Sequence, residues 1–367
     1  MKTNKQERPA IEAGTFDINS FEERLEAKSR FDGNLRHGAK SFHDQTNRSG
    51  KGKPSSGYLI REHAMLVDDS GVDRYQRKEG MWEDVDSCPV CDNKEREHFL
   101  SRFGLDIYRC LNCTHRYLHP RVKFDVAERV YMDDKTASDI YTQPLQIEID
   151  EIKYQYGLDL IEKLNPSARG KILDLGCGAG VFLKMAQRNG WKQCVGVDVN
   201  ERYSDIYNDG GGIQFINSSF ERLEPNKLGN NYDAISMWSV LEHLYDKHAI
   251  LDALIKMLAP NGLLFILVPN VESLATRLMR EMSPTFAWKH VSHFCPKSLT
   301  VLMERHGLTK IFHETVITEI DNIKSYMSGE YPYHGYGDPA GLFDWITPDY
   351  IHRNMLGSRQ IAIFKKS

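Results

Sequence analysis

Ile172-Leu173-Asp174-Leu175-Gly176-Cys177-Gly178-Ala179-Gly180 is the stretch that decides the fold. An apolar strand-like pair leads into glycines at alternate positions, and a helix-favouring run opens at Val181. Glycines spaced in this way let the backbone turn tightly and approach a ligand with no Cβ between them. The helix that follows presents its first amides to that ligand. Dinucleotide-binding proteins use a similar turn, so the loop alone leaves the ligand open. No lysine follows in the GxxxxGK spacing, which disfavours a triphosphate.

Outward from this loop, short apolar runs alternate with helical stretches. KILDLGC is followed by VFLKMAQRNG, CVGVDV, IQFIN, AISMW, LYDKHAILDALIKMLAP and LLFILVPN. Strands and helices alternating at this spacing imply a parallel sheet with crossovers on both faces. Helical stretches are expected around Val271 to Arg280 and Pro296 to His306, and strands at Lys310 to Thr318 and Gln360 to Lys366. The last strand returns after an insertion and is expected to pair antiparallel at the sheet edge. Asp198 ends the second strand, where a carboxylate can accept hydrogen bonds from both hydroxyls of a ribose. Asp174 sits two residues before the first glycine, within reach of a cationic amino-acid tail.

ILDLGCGAG, VGVDVN, YDAISMWSVLEHL and LAPNGLLFILVPN resemble the successive motifs of the class I S-adenosylmethionine-dependent methyltransferases, over roughly Tyr154 to Lys366. The resemblance implies an α/β, Rossmann-like sheet of seven mostly parallel strands with helices on both faces. The cofactor would lie over the carboxyl ends of the first strands. By position, Asp174, Gly176, Gly178 and Gly180 would cradle its methionine portion and Asp198 its ribose. Ser219 and Phe220 would flank the adenine, although an acidic residue is more usual in the family at the place of Ser219. Trp238 would sit near the sulfonium and the acceptor.

Cys88-Pro-Val-Cys91 and Cys110-Leu-Asn-Cys113 form two CxxC knuckles. Each sets two thiolates on one side of a tight turn, and two knuckles complete a tetrahedral S4 site suited to Zn2+. Four protein ligands leave no open position, so a structural rather than a Lewis-acid ion is expected. Phe99, Phe103 and Tyr108 between the knuckles supply the apolar content of a hairpin, giving a small zinc-ribbon-like module. The pattern resembles the zinc-containing methyltransferases of sugars and other small molecules, where glycine commonly follows the second knuckle; here it is Thr114. Cys177, Cys194 and Cys295 read as structural thiols.

Methyl transfer from a sulfonium requires the acceptor atom to be held in line, and an oxygen acceptor usually has its proton removed. Histidine is the natural base near neutral pH. His243 follows the fourth strand, and His290 and His293 in WKHVSHF follow the fifth, beyond carboxyl ends where ligands of open sheets collect. Tyr331, Tyr333, His334, Tyr336 and Asp338 belong to an aromatic insertion read as an acceptor lid.

The chain of 367 residues is 41% hydrophobic and 27% charged, with a formal net charge of −4. That balance does not favour a nucleic-acid partner. No apolar run of membrane-spanning length and no secretory signal is visible, and seven cysteines in this spacing fit a reducing, cytoplasmic setting. The expected organisation is a polar extension over 1–80 with a short helix near Phe21 to Lys28, a zinc-binding module over 81–125, and a methyltransferase domain over 126–367. Within the last, 126–168 is a helical lead-in and about 319–359 the insertion. The expected activity is methylation of a small polar acceptor such as a sugar or glycan precursor. An RNA methyltransferase and a non-catalytic partner-binding protein are the alternatives.

Overall fold

The computed structural model describes residues 16–30, 66–69, 75–132, 134–167, 169–207, 211–327 and 344–366. A hairpin, β1 (Val67–Asp69) and β2 (Tyr75–Arg77), comes first, then β3 (Trp82–Glu83), which later pairs with β7 (Arg121–Val122). Between them, β4 (Arg96–Arg102), β5 (Leu105–Cys110) and β6 (Arg116–Leu118) form an antiparallel meander. This is the hairpin expected between the knuckles, with one addition that crosses the expected boundary. A strand from far along the chain, β13 (Ser292–His293), joins the edge of β6.

The main sheet contains β8 (Lys171–Leu175), β9 (Gln193–Asp198), β10 (Ile213–Asn217), β11 (Tyr232–Trp238), β12 (Leu258–Pro269), β14 (Leu308–Val316) and β15 (Arg359–Lys366), in the order β10-β9-β8-β11-β12-β15-β14. The apolar runs of the sequence fall on these strands. β8 to β12 pair in parallel, while β15 is antiparallel to both β12 and β14. The last strand therefore has the expected direction but a different place: it is inserted one strand in from the edge, and β14 is the edge. With Ile361, Ala362, Ile363 and Phe364 all fully buried, β15 has two apolar faces, as an interior strand needs.

Alternation along the strands divides the core into two layers. Leu173, Leu175, Ile235, Met237, Leu264 and Ile266 face the helices 247–257 and 296–305. Ile172, Ala234, Trp238, Leu263, Phe265 and Leu267 face the helices 144–164 and 181–188. Successive strands depart from β8 in one direction and from β11 in the other, which opens a crevice at their carboxyl ends.

Residues 16–30 lie within the stretch read as a polar extension, yet they pack on the sheet. A helix spans 21–30, and Lys28, 1% exposed, donates to Glu314 Oε2 at 3.0 Å on β14. Phe16 stacks on Tyr156 with ring centroids 5.3 Å apart. Most of the remaining extension, and the insertion residues Tyr331, Tyr333, His334, Tyr336 and Asp338, lie outside the described residues. Among those described, no helix is long and apolar enough to cross a membrane.

Candidate active site and cysteine centre

A cavity of about 610 Å³ occupies the crevice at the carboxyl ends of the strands, a size usual for small-molecule sites. Its wall includes Gly176, Gly178, Asp198, Ser219, Phe220, Trp238, His243 and His290, eight of the residues singled out from sequence. Gly176 has φ +71°, and a Cβ there would lie 2.5 Å from Val240 Cγ2, so the turn needs glycine for both conformation and packing. Asp198 is held by two backbone amides: Gly178 N donates to Oδ2 and Asn200 N to Oδ1, each at 2.9 Å. Burial raises the Asp198 carboxyl above its ordinary range, and these amides oppose the rise. The carboxylate is thus fixed in orientation with further acceptor capacity remaining.

Three expected residues are not on the wall. Asp174 lies beneath it, 2% exposed, its carboxyl accepting from Ser236 Oγ at 2.7 Å across the strand pair. Gly180 caps the helix that starts at Val181, and a Cβ there would meet the Tyr207 hydroxyl at 2.7 Å. His293 is buried in β13 against Phe286, with centroids 5.2 Å apart, beside the Arg116 backbone of β6. Its strand pairs with β6, and the buried side chain is not part of the cavity lining.

Burial pushes the Asp174 carboxyl up to about 8, so the folded chain holds a proton there that the unfolded chain releases near 4. That contribution to stability is complete below about pH 4 and is lost as pH rises through about 8. Asp174→Asn should accordingly flatten the fall in ligand-free stability between these limits. Denaturant midpoints measured across the range, for the two proteins side by side, check it.

His243 and His290 are oriented by backbone. His243 Nδ1 lies 2.8 Å from the Lys289 carbonyl and His290 Nδ1 2.7 Å from the Thr285 carbonyl. A carbonyl only accepts, so each Nδ1 carries the hydrogen and each Nε2 keeps its lone pair. Burial lowers His243 to about 3 and His290 to about 4, which keeps both neutral. The ring centroids are 4.9 Å apart.

Other wall residues escaped the sequence reading. Glu128, on the helix Phe124–Met132, accepts from Ser219 Oγ at 2.6 Å and takes a two-pronged contact from Arg222, at 2.7 and 2.6 Å. A carboxylate thus stands beside Ser219 after all, supplied from 91 residues earlier. Lys289 Nζ pairs with Asp134 Oδ2 at 3.1 Å, and Arg359 reaches the wall from the start of β15. Helical spacing in the lead-in was the only signal for Glu128, and nothing local marked Arg359.

The four cysteines of the two knuckles converge. Cys88 and Cys113 Sγ are 3.5 Å apart, as are Cys91 and Cys110 Sγ, and all four sulfurs lie within 4.8 Å of one another. A tetrahedral S4 zinc site with bonds of about 2.3 Å has sulfurs about 3.8 Å apart, so the set fits that ion. Burial raises the Cys110 thiol, but the backbone amides of Cys113 and Asn112 overcome it and bring the group to about 7, whereas burial raises the Cys91 thiol and the Cys88 contact raises that of Cys113. His115 is buried against Phe294 and is not one of the converging ligands. The helix 296–305 clasps both knuckles: Arg305 Nη1 donates to the Val90 carbonyl at 2.6 Å and Lys297 Nζ to the Asn112 carbonyl at 3.1 Å.

Thr114, where the resembling enzymes commonly carry glycine, has φ +63°. A left-handed β-branched residue costs roughly 1–2 kcal/mol, while glycine's greater unfolded-state freedom returns part of that. Thr114→Gly should therefore stabilise the protein by about 0.5–1 kcal/mol, less whatever the Thr114 Oγ1 contact to Cys295 Sγ at 3.3 Å contributes. An unchanged or lowered denaturant midpoint would count against strain at this turn.

Residues 150–313 match the family model of the methyltransferase domain. The chain carries a methyltransferase domain. The glycine loop, Asp198, Trp238, His243 and His290 fall within the matched residues. This domain is similar to the C-methyltransferase NovU of Streptomyces niveus, 26% identical over 151 residues, which are 40% of this chain and 35% of that protein. It is also similar to a ubiquinone biosynthesis O-methyltransferase of Bartonella tribocorum, 31% identical over 110 residues, 29% of this chain and 44% of that protein. The chain thus spans less than half the length of these two relatives. Among solved structures, a SAM-dependent methyltransferase from Archaeoglobus fulgidus overlaps with a TM-score of 0.43 and 17% identity, over 63% of this chain and 98% of that one.

Proposed function

We propose that this protein transfers a methyl group from S-adenosylmethionine to a small polar acceptor, of the class of a sugar or glycan precursor. The observation that carries the donor side is Asp198, a buried carboxylate fixed by the Gly178 and Asn200 amides at the mouth of the glycine loop. Its remaining lone pairs suit the two hydroxyls of a ribose. Gly176 and Gly178 would border the methionine portion, with Asp174 as a positioning residue behind the loop. Ser219, Phe220 and Glu128 would flank the adenine. Trp238, buried in a cluster with Tyr154, Phe182 and Phe265, would lie beside the sulfonium.

The acceptor half would be the polar wall of His243, His290, Tyr131, Lys289 and Arg359. Such a wall suits an acceptor with several hydroxyls, and the Nε2 lone pairs of His243 and His290 are the places to take a proton or a hydrogen bond. Zn2+ on Cys88, Cys91, Cys110 and Cys113 would be structural, holding the module against the helix 296–305. The two CxxC pairs, whose spacing favours metal ligation over disulfides, suit a reducing, cytoplasmic setting.

The test is a screen with methyl-labelled donor against nucleotide sugars, free glycans, quinols and RNA. Label in a sugar supports the reading. Label in RNA, growing as salt falls, would replace it, and donor binding without transfer to any class would remove the enzymatic reading.

A further inference from the structure

The cavity contains a second convergence of metal-ligating groups, separate from the cysteines. One potential ligand atom each from Glu242, His243 and His290 lies within 4.8 Å of the others. Glu242 is 1% exposed, and no hydrogen bond of ordinary geometry reaches either carboxylate oxygen. Arg359 and the Ser239 hydroxyl lie near it. A buried carboxyl with no well-formed hydrogen bond on a cavity wall has both oxygens available to a ligand, and a cation would satisfy them.

The two histidines are arranged as ligands are. Each donates Nδ1–H to a backbone carbonyl, which fixes ring and tautomer and leaves Nε2 as the donor atom. Arg359 is the cation whose charge bears on Glu242, and Lys289 is paired with Asp134.

We propose that Glu242, His243 and His290 bind a divalent cation whose remaining coordination positions take oxygen atoms of the methyl acceptor. Bonds of about 2.1 Å place ligand atoms roughly 3.0–3.4 Å apart, so modest side-chain rotation closes the site. Two imidazoles and one carboxylate suit Mn2+, Fe2+, Co2+ or Zn2+ and leave open positions, unlike the closed S4 site. The cation would orient a bound hydroxyl and lower its pKa, its proton passing to solvent water as the methyl group arrives; the Nε2 lone pairs of His243 and His290 would then serve as ligands in place of proton acceptors. The inference rests on the proposed methyl transfer only for the identity of the oxygen ligands; cation binding does not depend on it.

Mn2+ is the probe, because it favours oxygen and nitrogen donors and leaves thiolate-bound zinc in place. Loss of the free Mn2+ paramagnetic resonance signal on titration should show one saturable ion per chain in the micromolar range. Glu242→Gln and His290→Asn should each weaken it at least tenfold, with S-adenosylhomocysteine binding kept as proof of folding. In the wild-type protein, bound Mn2+ should broaden the ring resonances of His243 and His290 most strongly, with that of His293 beside them. No saturable binding below millimolar, or affinity unchanged in both variants, overturns the site. Mn2+ binding without S-adenosylhomocysteine binding would instead defeat the donor assignment and leave the cation site standing.

Discussion

Asp198→Ala should weaken S-adenosylhomocysteine binding by about 100- to 1000-fold. Two hydrogen bonds from ribose hydroxyls to an ionised carboxylate contribute about 1.5–3 kcal/mol each. Even partial loss of both removes about 3–4 kcal/mol, at tenfold per 1.4 kcal/mol. The substitution also frees the Gly178 and Asn200 amides that hold the carboxylate, so the glycine loop loses its tether. Asp198→Asn keeps the shape but turns an amide N–H toward one of those backbone donors, and should weaken binding by an intermediate amount. Calorimetric titration of the three proteins checks this; equal affinities would place the ribose elsewhere.

The second large effect concerns the cysteines. Cys113→Ser should abolish stoichiometric zinc and destabilise the protein by about 4–5 kcal/mol or more, the scale reached when a structural metal is lost. The damage should not stay within the module. β13 adds to the module's sheet, and Arg305 and Lys297 bind backbone carbonyls of the two knuckles, so loosening the knuckles releases the segment that presents His290. Metal analysis with denaturant unfolding tests it. Retained stability in a zinc-free protein would show that packing alone holds the knuckles.

The fold was legible wherever local pattern and burial coincide. Strands β8, β9, β11 and β12 are apolar on both faces because helices cover both sides, and their runs stand out in the sequence. The knuckles were legible because spacing within each CxxC pair is itself the geometry. The position of β15 was not, since an apolar strand carries no mark of which neighbour it will take. That Gly180 is not on the cavity wall has a similar origin: alternate glycines specify a tight turn, but the one beside Tyr207 looks the same in sequence as those lining the cavity. His293 and His290 are three residues apart, yet one lies buried in the strand paired with β6 while the other lines the cavity. Glu128, Lys289 and Arg359 gather by tertiary contact alone, across separations such as the 155 residues between Asp134 and Lys289. Glu242 was visible beside His243, but its lack of a partner is a property of the folded interior.

The most direct test of the donor site is calorimetric titration of the wild-type chain with S-adenosylhomocysteine and, separately, with NAD. The expected result is saturable heat for the first at one site per chain, and none for the second. Saturable NAD binding with no S-adenosylhomocysteine signal would contradict it and return the glycine loop to a dinucleotide.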